Sequence, residues 1–563
     1  MPTTCNDSIL PNFSHLTEKR LDKVPITAVD IFPLIRNLNK NKSCGPDDIY
    51  ARMLLLCRES VVAPLKIIFL NILSSGIYPD IWKQANVTPI HKKGSKYQVS
   101  NYRPISLLTI CSKIFERIIF KHFYNHLVSN KLITKHSSGF CPRDSTINQL
   151  IDLTNEINKS FGDGRSLEVR AVFLDISKAF DKVWHAGLLF KLKQNGISSN
   201  LLTLLKNYMT GREQRVVLNG SYSHFLPIAS GVPQGSVLGP LLFLVYINDL
   251  EANIKSNVKF FADDTMLFSI VYDPDISATE LNCDLKTISK WAHQWKMSFN
   301  PEPAKQAVEV LFSQKKQIIC HPPLLFNDST VSRNHSHKHL GMTLDSKLSF
   351  VYHVNEKIKI CKQHIGIIRY LSNYLPVPTL IQIYKSFVRP HLDYGDIIFH
   401  IPHSSNAFDS TISLRPLMQR IEQVQYHAAL AITGCWRGTN ADKLYEELGL
   451  ECLSERRWSR RLFQLYKIQN GLTPDYLPSS LPPIHNHLSR NNDGTNYQNN
   501  LCNTSRHQNS FFPDAIQSWN NMGSDFCSTL SLGLFKNNVF KYVPTPNLCS
   551  EFMIPVVLSA SFS

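Results

Sequence analysis

The sequence predicts an α+β protein built around an antiparallel sheet, followed by a mostly helical C-terminal region. Three observations carry this reading. The β-branched run "VRAVFLDI" (169–176) is succeeded by helical segments, the hairpin-like "KFFADDTMLF" (259–268), an amphipathic helix and a last strand, "AVEVLFS" (307–313). That order lacks the regular strand–helix alternation of a parallel sheet. From about residue 350 the apolar spacing is helical. With 563 residues, 43% hydrophobic and 18% charged, the chain has core material for several packed units.

Residues 1–24 read as a polar tail. Residues 25–86 are helical, from "TAVDIFPLIRNL" through "IYARMLLLCRESVVAPLKIIFLNILSSG", with "CGPDD" (44–48) as an interrupting turn. The segment 87–108 mixes short β-like runs with a basic loop, and "ICSKIFERIIFKHFYNHLV" follows at helical spacing. After "VRAVFLDI", the stretch "SKAFDKVWHAGLLFKLKQNG" predicts one helix closed by Gly196. "SGVPQGSVLGP" is a Gly/Pro turn leading into an apolar helix over 237–250. The helix after the hairpin carries Leu281, Leu285, Ile288, Ala292 and Trp295 on or near one face. Residues 346–470 form a helical unit, and 471–563, rich in Pro, Asn and Ser, read as weakly structured.

Lys and Arg total 60 against 44 Asp and Glu, a net charge of +16 that favours a polyanionic partner. No run reaches the roughly 20 apolar residues of a membrane span, and the N-terminus lacks a signal-peptide pattern. A soluble, intracellular protein with no membrane partner is expected. The 13 cysteines show no C-x-x-C pair and no zinc-ligand spacing, so they read as reduced thiols.

Asp263 and Asp264 stand side by side within an apolar run. Aspartate suits a tight hairpin; two adjacent carboxylates also repel, and a cation would hold both ionised. The two readings are compatible. Asp175 ends the run "VRAVFLDI" and either caps the following helix or, if the two strands pair, joins the other two at one sheet edge. Three carboxylates so placed suit a pair of Mg2+ ions and in-line phosphoryl or nucleotidyl transfer.

"AVFLDISKAFDKVWH" (171–185), "SGVPQGSVLGP" (230–240) and "FFADDT" (260–265) resemble the A, B and C motifs of reverse transcriptases, specifically those of jockey-type non-LTR retrotransposons. "GPDDI", "VTPIHKKGS", "NYRPISLL" and "SGFCPRDSTINQL" resemble that family's finger motifs. "NPEPAKQ", "HLGMTLD", "LIQIYKSFVRPHLDYGDIIF" and "AITGCWRGTNADKLYEELGL" resemble the segments that follow. The resemblance covers roughly 25–520 and implies a right-hand polymerase fold: fingers and palm over 87–345, a helical extension before them and a helical thumb after them.

It further implies an RNA template, a DNA primer or target, deoxynucleoside triphosphates, two Mg2+ ions with Mn2+ as a substitute, and work in the nucleus, although the sequence shows no clear import signal. Asp175 and Asp263 would be the main metal ligands, Asp264 a less direct third carboxylate and the Ile176 carbonyl an extra ligand. Phe180 would be the gate against a ribose 2′-hydroxyl, or else a core residue of its helix. Asp181 reads as a helix anchor rather than a ligand. Gln234 and Gly235 would lie against template and base pair, with Gly231 and Gly235 allowing close backbone approach. Lys92, Lys93 and Arg103 would meet the triphosphate, or form a solvated basic loop. Lys305 would protonate the leaving pyrophosphate, or be a surface lysine.

Two residues depart from the family pattern: Cys141 stands where an arginine is usual, and Arg143 where a turn glycine is usual. Cys141 offers no charge-assisted contact to phosphate, and Arg143 is strained if the site needs positive φ. About 25 residues precede the first finger helix, so a nicking endonuclease is expected to come from elsewhere; a ribonuclease H is not expected in 471–563. The alternative reading is a decayed or co-opted RNA-binding remnant without catalysis.

Overall fold

The computed structural model describes residues 10–11, 17–92, 94–165, 167–316, 319–399, 415–484, 496–498, 502–522, 529 and 531–541. At its centre is a five-stranded sheet in the order Ser332–Arg333, Ala307–Phe312, Glu168–Asp175, Asp264–Val271, Asn257–Phe261. All neighbours are antiparallel except the short outer strand Ser332–Arg333. In the middle strand every residue but Asp175 is buried, because both faces of the sheet are covered. Period-2 alternation divides its side chains between two cores. Val169, Ala171 and Phe173 join a core with the helices Thr146–Gly162 and Val351–Leu371. Val172 and Leu174 join another with Ile110–Ser129, Leu238–Ile247 and Pro274–Gln294.

A second sheet joins Tyr102–Leu107, Gln84–His91 and Arg212–Leu218, with Ser221–Tyr222 and Leu226–Ile228 paired to the last of these. The N-terminal helices Ala28–Arg36, Ala51–Leu56 and Val62–Ser75 lie where the sequence predicts them. The third ends at Gly76, whose φ of 69° closes it in the left-handed region.

Two expectations change. The predicted single helix after Asp175 is a one-turn 3-10 helix, Ala179–Lys182, followed by an α-helix, His185–Gln194. A continuous α-helix would pair the Phe180 and Val183 carbonyls with N–H groups four residues on. Here those carbonyls accept from Val232 (2.8 Å) and Gly231 (2.9 Å) instead. The expectation of weak structure beyond 471 fails over Phe511–Met522 and Leu532–Lys541, two helices packed on Leu453–Gln469. Phe512, Trp519 and Phe535 are buried there, Tyr466 stacks on Phe535 at 4.5 Å, and Arg461 forms a buried ion pair with Asp514. The apolar positions 511, 512, 515, 516, 519 and 522 have helical spacing that the surrounding polar residues obscure. The rest of 471–563 lies largely outside the described residues.

Candidate active site

Strand pairing brings the three aspartates to one sheet edge. Asp175 lies directly opposite Asp264, and Phe261 pairs with Asp264 to close a two-residue turn at Ala262 and Asp263. Ala262 takes φ 57° in that turn. The hairpin is braced from outside: Phe260 exchanges backbone hydrogen bonds with His136 and Ser138, each at 2.9 Å. Gly139 presses so close that a Cβ there would lie 2.2 Å from the Ala262 nitrogen.

All three aspartates are exposed at the surface of the edge, yet the protein around the hairpin displaces enough solvent to matter. Loss of solvent first, then the charges of Asp263 and Asp175, push the Asp264 carboxyl up to about 6, with Lys92 opposing. Asp263 is also raised, by loss of solvent and by Asp175, while Lys92 and Arg103 pull it down. Both basic residues therefore face the acids. Lys92 is held by its N–H donating to the Asn101 carbonyl (2.8 Å), and Arg103 by pairing with Ile90. Lys93 lies outside the described residues.

Among the described residues no three His, Cys, Asp or Glu side chains already enclose a cation. The donor set nonetheless fits Mg2+, which keeps several waters and binds through one or two carboxylates plus substrate phosphates. Raised carboxyls with no cation of their own in contact are what such an ion would neutralise.

A residue that sequence reasoning missed fixes Asp175. Asn300 donates its side-chain Nδ2–H to Asp175 Oδ2 (2.8 Å) and its backbone N–H to the Asp175 carbonyl (3.0 Å). Ile176 bridges to Phe299, and Ser177 N–H donates to the Ser298 carbonyl (2.9 Å). The asparagine begins "NPEPAKQ", so a motif was visible, but not its target.

Phe180 stacks on buried Phe243 at 4.7 Å and meets Phe140 edge-on at 5.7 Å. It remains half-buried, five residues from Asp175. Gln234 donates to the Asp181 carboxylate (3.2 Å), and its carbonyl accepts from Ser106 (2.7 Å). Asp181 is thus an anchor between the 3-10 turn and the 230–236 loop. Gly235 has φ 121°, and a Cβ there would sit 2.4 Å from the Ser106 carbonyl oxygen; at Gly231 it would sit 2.7 Å from that of Asp181. The close approaches these glycines make are to protein backbone. Below the loop, buried Glu116 accepts from the N–H groups of Val237 (2.7 Å) and Leu238 (3.0 Å), capping the apolar helix. Sequence gave no signal for that cap.

Lys305 ion-pairs with Glu302 on the exposed helix Pro303–Gln306 and makes no contact with the aspartates. Cys141 turns inward, its thiol donating to the Ser137 carbonyl (3.3 Å), and burial pushes it up to about 11. Arg143 does take a positive φ, 68°, and its guanidinium donates to the Gly471 carbonyl (3.3 Å).

An aspartate opposite a two-aspartate turn, beside a basic hairpin and an aromatic floor, is an arrangement suited to metal-assisted nucleotidyl transfer. Residues 90–344 match the family described as "Reverse transcriptase (RNA-dependent DNA polymerase)". The chain is 30% identical over 465 residues to the "Probable RNA-directed DNA polymerase from transposon BS" of Drosophila melanogaster, covering 79% of this chain and 49% of that protein. It is 30% identical over 419 residues to the "RNA-directed DNA polymerase from mobile element jockey" of the same species, covering 72% and 45%. It carries a reverse transcriptase domain of the jockey type. The chain spans about half the length of these curated relatives.

Proposed function

We propose that this chain is an RNA-directed DNA polymerase that extends a DNA 3′ end on an RNA template. The observation that carries the proposal is the register placing Asp175 opposite Asp264, with Asp263 in the intervening turn. In this reading the central sheet is the palm, the smaller sheet the fingers and the helices from Val351 the thumb. The primer 3′-oxygen forms a bond to the α-phosphorus of a deoxynucleoside triphosphate, the α–β bridging bond breaks and pyrophosphate leaves. Asp175 and Asp263 would hold two Mg2+ ions, or Mn2+ in their place, and these would supply the charge neutralisation such transfer needs. Asp264 and the Ile176 carbonyl complete the donor set.

Lys92 and Arg103 receive the triphosphate, and Phe180 lies where a ribose 2′-hydroxyl would clash with its ring. Gln234 and Gly235 form the loop under the new base pair. Lys305 donates a proton to pyrophosphate only if it leaves Glu302. RNA, a DNA primer and dNTPs are the partners, and the work is done in the nucleus. Among the described residues no helix is long and apolar enough to cross a membrane.

A second reading, an RNA-binding remnant without catalysis, is favoured by Cys141, which contributes no cation to the fingers. Primer extension with dTTP on oligo(dT)-primed poly(rA) decides between them. Incorporation by the natural chain, absent in Asp263→Ala/Asp264→Ala, supports the polymerase. Failure of a folded natural chain that still binds the primed template supports the remnant.

A further inference from the structure

The helical region presents a cationic track that the transfer chemistry does not use. Between the helices Val351–Leu371 and Arg415–Thr433 runs an open groove of about 530 Å3, lined by Asn355, Ile358, Lys359, Lys362, Gln363 and Arg420. The lining has no acid, and none of its three cations pairs with a carboxylate among the described residues. Glu356, the acid beside Asn355, is engaged with Lys338 at 3.2 Å.

The track continues two helical turns further. Lys362 to Arg369 and Arg420 to His427 are both seven-residue steps along one face, about 10 Å each. Burial first, and then the charges of Arg437, Lys362 and Arg369, push the His427 imidazole below its ordinary value, so all three cations bear on it. Arg437 belongs to the loop after the second helix, and its neighbour Trp436 is 89% exposed. This loop is built, not loose. Gly438 N–H donates to the Tyr426 hydroxyl (3.0 Å), which donates to the Thr439 carbonyl (3.0 Å), and the Thr439 hydroxyl donates to the Trp436 carbonyl (2.8 Å). A fixed loop that holds an indole in water beside a guanidinium gains nothing for the fold. Its geometry suits a stacked, unpaired base next to a phosphate.

We infer that Trp436 and Arg437, with Lys359, Lys362 and Arg420, form a binding site for single-stranded RNA, in which an unpaired base stacks on Trp436 and the phosphates follow the cationic groove. The inference rests on the polymerase reading only for the choice of RNA as the polyanion.

The test is the affinity of labelled oligo(rA) for the full chain across a salt series. Trp436→Ala should weaken binding about tenfold, Trp436→Phe should restore most of it, and neither should change the melting temperature. Lys362→Gln/Arg420→Gln should flatten the logarithmic salt dependence by about 1.4, two phosphate contacts on a single strand. Equal affinity of Trp436→Ala and the natural chain overturns the site. So does an equal loss on a blunt RNA duplex, which offers no unpaired base. An inactive natural chain whose oligo(rA) binding still depends on Trp436 leaves the site standing and removes the polymerase reading. An active chain indifferent to Trp436 does the reverse.

Discussion

Asn300 holds Asp175 from two sides, through its side-chain amide on Oδ2 at 2.8 Å and its backbone N–H on the carbonyl at 3.0 Å. An amide can only donate to that oxygen from Nδ2, so the carboxylate is fixed in rotation with Oδ1 left free. Asn300→Ala should therefore lower the single-turnover incorporation rate about 10- to 100-fold, the scale of a small misplacement of reacting groups. Asn300→Asp should be worse, since it puts a fourth acid against Asp175. A rise in the Mg2+ concentration needed for half-maximal rate, at unchanged melting temperature, distinguishes positioning from a loss of fold.

The raised Asp264 carboxyl gives a pH prediction with a definite sign. Its folded value is about 6 against an ordinary 3.8, so the folded chain binds this proton more tightly than the unfolded chain. Stability from this group is fully present below 3.8 and is lost as pH rises through about 6. Asp264→Asn should melt higher than the natural chain at neutral pH and lose that advantage in acid. Because the carboxylate is open to water, the gain is small. Mg2+ should raise the melting temperature of the natural chain more than that of the variant, and thermal scans with and without the ion check both statements.

Phe180 rests on Phe243 and Phe140, and its ring is only half-buried. Phe180→Val opens the space above residue 180 without touching the aspartates. Discrimination of dTTP over UTP should fall roughly 10- to 100-fold, read as the ratio of kcat/KM values. An unchanged ratio would make Phe180 a core residue and no more.

Glu116 caps two N–H groups of the helix Leu238–Ile247 and lies close to buried Arg212. Glu116→Ala leaves those donors without their acceptor, at a cost of about 1–3 kcal/mol in urea unfolding. Glu116→Gln, which keeps an acceptor, should cost clearly less.

Arg143 takes a left-handed φ of 68° while donating to the Gly471 carbonyl. Arg143→Gly relieves about 1 kcal/mol of backbone strain and gives up one exposed hydrogen bond. A net change within about 1 kcal/mol is expected in denaturant melts, so this departure from the family pattern is tolerable. Cys141→Arg is different, because a guanidinium must either enter the space now holding a thiol bonded to Ser137 or swing out.

What the sequence disclosed follows from contact range. Asp175, Asp263 and Asp264 were legible because each ends an apolar β run, and both the turn and the metal-site readings depend on neighbours a few residues away. Phe180 and the 230–240 loop were legible as motifs, but the loop's effect on the chain was not. Its N–H groups take the carbonyls that would have continued the helix after Asp175. Asn300 is 125 positions from Asp175, and Leu238 is 122 from Glu116; nothing local marks such partners. The C-terminal helices were hidden for another reason, since their buried face is spaced regularly but diluted by polar residues.

The central claim is that Asp175 serves nucleotidyl transfer and not merely the fold. The most direct measurement compares dTTP incorporation by the natural chain and Asp175→Asn, an isosteric change, on primed poly(rA) with Mg2+ and equal template occupancy. Incorporation by the natural chain and none by the variant is expected, with both binding the template alike. Equal incorporation by the two proteins would contradict the claim.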